Sequence, residues 1–313
     1  MAQAILAQAP PAPLPRMALG VSADQIFALG APGFVEADPA AEPDWEPTPP
    51  DVASVLEVAY DGRQVWIGEP LGSTPSEDKQ AASAGTCLTY GEVHQDGLTK
   101  LLGPRGLDLP GRKSRCLLEL GSGRGRLALQ AFLQFPELRT VLGVELVGSR
   151  HRAAAAAAVR LQESFPSRFA LEAACGGGRR QASVRLTEGA GESARRCELR
   201  MADLSEVPDE DLKSADAILL EVVMPPGPGV VAAHSRLCSR LAALCQHGCV
   251  IAAYEDLHTL WRALPQGAPE CPFHKLELCD GGYATSWSPV GHHFHGFVCD
   301  RERSASIAPG AWL

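Results

Sequence analysis

Ten cysteines run through the chain, and no two of them stand as Cys-x-x-Cys. Neither a zinc-ribbon pattern nor a thioredoxin-type redox pair is therefore written into the sequence. Cys245 and Cys249 are spaced for a shared ligand, but they flank the junction of an expected helix and a buried strand and read as core thiols of a reducing compartment. His292, His293 and His295 cluster without a further obvious ligand, so no metal is expected. Positive charge is scarce too: 28 Lys and Arg against 37 Asp and Glu leave a net charge of -9. That balance argues against a protein that coats nucleic acid through a broad basic face, because neutralising phosphates takes clustered cations, and leaves room for a small local basic patch. No apolar run reaches the roughly 20 residues of a membrane helix. The first 23 residues have no acidic side chain and only Arg16 as a basic one, a poor secretory leader and a weak transit peptide.

What is present suits a globular protein. At 313 residues and 45% hydrophobic content the chain can bury one large core or two modest ones. Residues 1–50 hold much of the proline, including Pro10, Pro11, Pro13, Pro15, Pro47, Pro49 and Pro50, and read as a disordered Ala/Pro-rich tail. Residues 51–87 read as a hairpin with a flexible lead-in: Val55–Tyr60 and Gln64–Gly68 around an Asp61-Gly62 turn, then a loose stretch at 72–86. From Leu88 to Arg301 strands and helices alternate, the signature of a parallel sheet covered by helices. Cys116–Leu120 and Thr140–Val144 are short apolar strands. Residues 124–135 and 149–164 have helical periodicity, the latter with six alanines at 153–158. The rhythm breaks at 165–197, where Gly176-Gly177-Gly178 and Gly189-Ala190-Gly191 suggest a mobile surface insertion. It resumes with Glu198–Met201, Ala217–Leu220, a helix near 230–246 and Cys249–Ala253. The last segments, Leu276–Leu278, Ala284–Trp287 and His293–Val298, look antiparallel, and 302–313 is a tail.

The chemistry concentrates after the first of these strands. In Glu119-Leu120-Gly121-Ser122-Gly123-Arg124-Gly125-Arg126 three glycines follow a strand and open a helix. Bare backbone there lets a ligand approach closely, and the helix start offers free N–H groups. A dinucleotide fingerprint, GxGxxG, would need glycine at 126, so the GxGxG form points away from a nicotinamide dehydrogenase. Glu145 directly follows the second strand, where a carboxylate can accept both ribose hydroxyls of an adenosine. Glu119 lies below the turn, where it favours a cationic group. Asp203 follows the next strand of the core, in reach of an adenine amino group. Strand, glycine turn and three ordered acids together point to S-adenosylmethionine as cofactor.

Three segments carry a resemblance to a known family. Leu88-Thr89-Tyr90-Gly91-Glu92-Val93 with the helix after it, the glycine turn with Gly143-Val144-Glu145, and Thr285-Ser286-Trp287-Ser288 followed by His292-His293-Phe294-His295 resemble the disruptor-of-telomeric-silencing-type (Dot1-like) histone lysine methyltransferases. The likeness spans about residues 88–301. It implies a class I methyltransferase fold: a seven-stranded, mostly parallel, Rossmann-like sheet with an antiparallel C-terminal hairpin. By resemblance, Tyr90 and Glu92 close over the cofactor, and Gly121, Gly123 and Glu145 hold it. Ser122, Gly125 and Arg126 of the same turn are further candidate contacts, although Arg126 departs from the polar amide common at that position in the family. Trp287 and Phe294 line a channel for a substrate lysine, with Tyr90 also at the reaction centre. The family's Asn loop is replaced by Glu221-Val222-Val223-Met224-Pro225-Pro226-Gly227, which makes Glu221 the candidate in the Asn position. Met-Pro-Pro also resembles the motif of amino-methyltransferases acting on planar nitrogens, without its leading Asn or Asp. The resemblance implies a protein substrate, histone foremost, and an intracellular setting, nucleus or cytoplasm. The family's lysine-rich tail is missing. A non-histone protein, a small molecule, or a catalytically silent interaction module remain alternatives.

Overall fold

The computed structural model describes residues 46–63, 74–77, 91–175, 182–221, 228–262, 264, 271–278 and 282–301. Its centre is five parallel strands: β1 (Cys116–Leu120), β2 (Thr140–Glu145), β5 (Arg195–Met201), β6 (Ala217–Leu220) and β7 (Val250–Ala253). β3 (Phe169–Cys175) and β4 (Ala182–Glu188) extend one edge antiparallel. β8 (Phe273–Leu276) and β11 (His295–Cys299) extend the other. The spatial order is β3-β4-β5-β2-β1-β6-β7-β11-β8, and β9 (Tyr283–Thr285) pairs separately with β10 (Ser288–His292).

Period-two alternation splits the central strands between two cores. Leu117, Val141, Leu219 and Val250 face one. There they meet α3 (Arg126–Gln134) and α4 (Gly148–Ser164) through Leu127, Phe132, Ala154 and Leu161, with α1 (Pro50–Ala59) and α2 (Gln95–Leu102) packed alongside. Leu118, Val144, Leu220 and Ile251 face the other, covered by α5 (Asp209–Ser214), α6 (Pro228–Leu244) and α7 (Leu257–Arg262) through Leu212, Leu241 and Trp261. This is the helix-covered, mostly parallel sheet expected from the sequence, with its antiparallel end.

Three expectations are corrected. The sheet has nine strands rather than seven, because the segment read as a mobile insertion supplies β3 and β4. Val184 and Leu186 are buried in alternation with Ser183, Arg185 and Thr187, a strand period that the neighbouring glycines obscured. Arg195, in the segment read as a mobile surface insertion, is buried: its guanidinium donates to the carbonyls of Phe132 and Phe135, lies over the Phe132 ring and pairs with Glu188. The Gly176 triplet, Arg179 and Arg180 lie outside the described residues. Finally, the first half of the expected hairpin is the helix α1. Pro50 presets the backbone at its first turn, and Val52, Leu56 and Ala59 recur at i, i+4 and i+7 on its buried side. Asp61 and Gly62, both at positive φ, end that helix, with the Gly62 N–H donating to the Glu57 carbonyl at 2.9 Å. The second half, Gln64–Gly68, the 1–45 stretch of the tail and 302–313 lie outside the described residues.

Candidate functional site

The carboxyl ends of β1, β2, β5, β6 and β7 gather most of the candidate residues, where ligands bind on open parallel sheets. Gly121, Gly123 and Gly125 have φ of 94°, 52° and 74°, a region closed to most side chains. The N–H groups of Gly121 and Ser122 both donate to the Val144 carbonyl at 2.9 Å, lashing the turn to β2. At Gly125, which starts α3, an added Cβ would also stand 2.9 Å from the Ala154 Cβ. Glu145 closes this arrangement. One carboxylate oxygen accepts from the Gly123 N–H and the other from the Val147 N–H, each at 2.7 Å. Burial raises its pKa despite those bonds. A buried acid thus spans the glycine turn and the entrance of α4, with two acceptor oxygens held against backbone N–H groups.

Beneath the turn lie carboxylates with too few partners. Glu119 is 1% exposed and its Oε2 has no hydrogen-bond partner. Burial holds its pKa well above the usual carboxylate range, and Glu221 and Glu92 add to this. Glu221 is the first residue after β6, with its N–H on the Leu120 carbonyl at 3.1 Å, and its Oε1 is buried and unpartnered. Burial, then the charge of Glu92, push its carboxyl up to about 8. Arg126, expected to hold the cofactor, is buried and contacts three parts of the protein. It faces Glu92 at 3.4 Å, donates to the Arg63 carbonyl at 2.6 Å and lies 4.0 Å over the Tyr60 ring. Asp203 also serves its own loop. Its Oδ1 accepts from the Ser205 N–H and hydroxyl at 2.8 and 2.7 Å, capping the turn Leu204–Glu206.

The segments that carry the resemblance meet although they lie almost 200 residues apart. The Ser286 hydroxyl accepts from the Glu92 N–H at 2.9 Å, and the Ser286 N–H donates to the Glu92 carbonyl at 2.8 Å. Val93 bridges Thr285. Trp287 packs against Gly91, so close that an added Cβ would come within 2.3 Å of its ring. Its indole meets Tyr254 edge-on at 5.9 Å, and Tyr254 in turn stacks on His292 at 4.4 Å and 6°. Because the Tyr254 N–H donates to the Leu220 carbonyl, this aromatic group stands at the carboxyl ends of β6 and β7, next to Glu221. Phe294 is buried one layer back, edge-on to His292 and Tyr283. The Trp287 Nε1 and the His292 Nε2 are buried without partners, and burial brings His292 down to about 4. Tyr90 lies outside the described residues. Tyr254 and Tyr60 were not singled out as site residues from the sequence, and His292 was noted there only in the histidine cluster and the terminal aromatic segment. Tyr254 had a positional signal, as the first residue after a parallel strand. Among the described residues no His, Cys, Asp or Glu group is arranged to hold a metal.

The sequence matches no family model and no curated protein. Solved structures similar to it include three methyltransferases. The rRNA methyltransferase AviRa of Streptomyces viridochromogenes is 16% identical, over 82% of this chain and 96% of its own, with a TM-score of 0.38. A 16S rRNA adenine N1-methyltransferase of Catenulisporales acidiphilia is 18% identical over 59% and 85%, at 0.32. The ribosomal protein L11 methylase of Lactobacillus delbrueckii is 14% identical over 59% and 70%, at 0.32.

Proposed function

We propose that the protein is an S-adenosylmethionine-dependent methyltransferase and that its acceptor is the side-chain amine of a protein lysine, with intracellular proteins such as histones as the class. The observation that carries this reading is the pairing of a glycine turn, fixed to Glu145, with buried carboxylates whose unpartnered oxygens call for a cation. In the cofactor reading Gly121, Ser122, Gly123 and Gly125 give the adenosine and methionine parts close backbone approach. Each Glu145 oxygen, already accepting one backbone N–H, has a second lone pair for a ribose hydroxyl. Glu119 balances the cationic methionine end, and Asp203 stays at the adenine side while capping its own turn. When bound, the cofactor supplies a methyl group on a sulfonium centre. The protein's share is then alignment and exclusion of water. Trp287 and Tyr254 form an apolar wall beside Glu221. An aromatic wall disfavours a solvated ammonium ion and favours the neutral amine that can accept carbon. The acidic balance supports a protein acceptor over nucleic acid.

The test is transfer of labelled methyl from S-adenosylmethionine to recombinant nucleosomes, free histones and a soluble cell lysate, with Glu145→Ala as control. Label on protein lysines that disappears with Glu145→Ala is the expected result. Label on RNA alone would overturn the acceptor but keep the enzyme, and no label in any pool would count against catalysis.

A further inference from the structure

We propose that Glu221 is the proton acceptor of this site: its carboxylate receives the substrate as an ammonium ion and takes the proton that must leave before the nitrogen can be methylated. This rests on the methyltransferase reading above and adds to it a residue with a defined role.

Two carboxylate oxygens are orphaned at the site. Glu119 Oε2 and Glu221 Oε1 are both buried without a partner, on adjacent parallel strands whose ends are in register at Leu120 and Leu220. Two buried carboxylates that repel each other ask for two positive charges or two protons. The chemistry proposed here brings two cations, one on the cofactor and one on the acceptor. Glu119 lies within β1, directly under the glycine turn, and serves the first. Glu221 stands one residue beyond its strand and beside Tyr254, on the aromatic side, and serves the second.

The surroundings leave Glu221 as the group that can act. Glu92 faces it from the segment before α2 but is already opposed by Arg126 of α3 at 3.4 Å. Just beyond the end of β7 stand Tyr254 and Glu255, and burial raises both their pKa values. His292, stacked behind Tyr254, is kept neutral by burial and can neither repel an ammonium ion nor hold its proton near neutral pH. The lift of Glu221 to about 8 brings its proton affinity toward that of an amine, about 10.4 when free in water and lower against an aromatic wall. In the step itself the N–H bond of the ammonium ion breaks, its electron pair stays on nitrogen, and an O–H bond forms on Glu221. The exposed lone pair would then be free to take the methyl carbon as that carbon's bond to the sulfonium sulfur broke with its electron pair left on sulfur; nitrogen would regain its positive charge, and the Glu221 proton would return to water.

The test reads the carboxyl directly. Protein labelled with 13C at glutamate side-chain carboxyls and loaded with S-adenosylhomocysteine is titrated with pH in n-butylammonium chloride or in n-butanol. The Glu221 signal is identified by its absence in Glu221→Gln. The expected result is a midpoint near 8 in n-butanol that falls by a unit or more with the ammonium ion. An equal midpoint in both, or an ammonium-sensitive carboxyl that survives Glu221→Gln, overturns the assignment. A kinetic arm uses methyl transfer to lysine. Wild-type kcat/KM should level off near pH 8, whereas Glu221→Gln should keep rising about tenfold per pH unit toward the free-amine value. Identical profiles would overturn the role. Absence of S-adenosylhomocysteine binding to the wild-type chain overturns the cofactor reading. Normal binding with an ammonium-insensitive Glu221 overturns only the proton acceptor.

Discussion

Glu119→Gln should raise the melting temperature at pH 8 by several degrees and leave it almost unchanged near pH 4. Glu119 is buried with one carboxylate oxygen unpartnered, and burial and neighbouring acids hold its pKa well above the unfolded value. The folded state therefore keeps this proton over a pH range in which the unfolded chain has lost it. Stability from that proton is fully present below the unfolded value near 4.5. It is lost as pH rises through the folded one. Each unit between the two values corresponds to about 1.4 kcal/mol. A glutamine has a similar shape and no charge to bury, so the variant escapes the loss. Melting curves at pH 4, 6 and 8 make the comparison. A drop of the same size at every pH would mean that Glu119 stabilises the fold by its shape and contacts, and not that it is a strained acid.

Arg126→Met should have the opposite sign and a larger size: a loss of about 3–5 kcal/mol, greater at pH 8 than at pH 5, as expected when one partner of a buried ion pair is removed. Arg126 is 8% exposed and joins three pieces of chain: Glu92 before α2, the Arg63 carbonyl after α1, and the Tyr60 ring. Its guanidinium opposes Glu92, while Arg150 acts on Glu145 from α4. Without Arg126 the acids under the glycine turn repel one another with less compensation. At lower pH they relieve that repulsion by taking up protons. Urea unfolding at the two pH values measures the difference. A loss below about 1 kcal/mol, or a larger loss at pH 5, would contradict the electrostatic role.

The glycine turn was legible because its signal is local. Strand, turn and helix follow one another within a dozen residues, and three positive φ values need glycine. The alternation of β1, β2, β6 and β7 was legible for the same reason. Where the deciding contact is remote, the reading failed. Val55 and Val58 favour strand by local propensity, whereas Pro50 and the packing of Leu56 make α1 a helix. The alternation of Val184 and Leu186 is intact, but glycine-rich neighbours masked it. The strain on Glu221 depends on which strands adjoin β6, and the wall beside it depends on Trp287 reaching Tyr254 and Gly91. No spacing in the sequence encodes those contacts.

The glycine turn and Glu145 are expected to hold S-adenosylmethionine, and calorimetric titration with S-adenosylhomocysteine tests this most directly. Glu145 is expected to give the ribose two hydrogen bonds to a charged acceptor, each of about 1.5–3 kcal/mol. Saturable heat from the wild-type chain is predicted, with an affinity lower by about 100-fold or more in Glu145→Ala and the variant still folded by circular dichroism. No heat from the wild-type chain, or equal affinity in the variant, would contradict it.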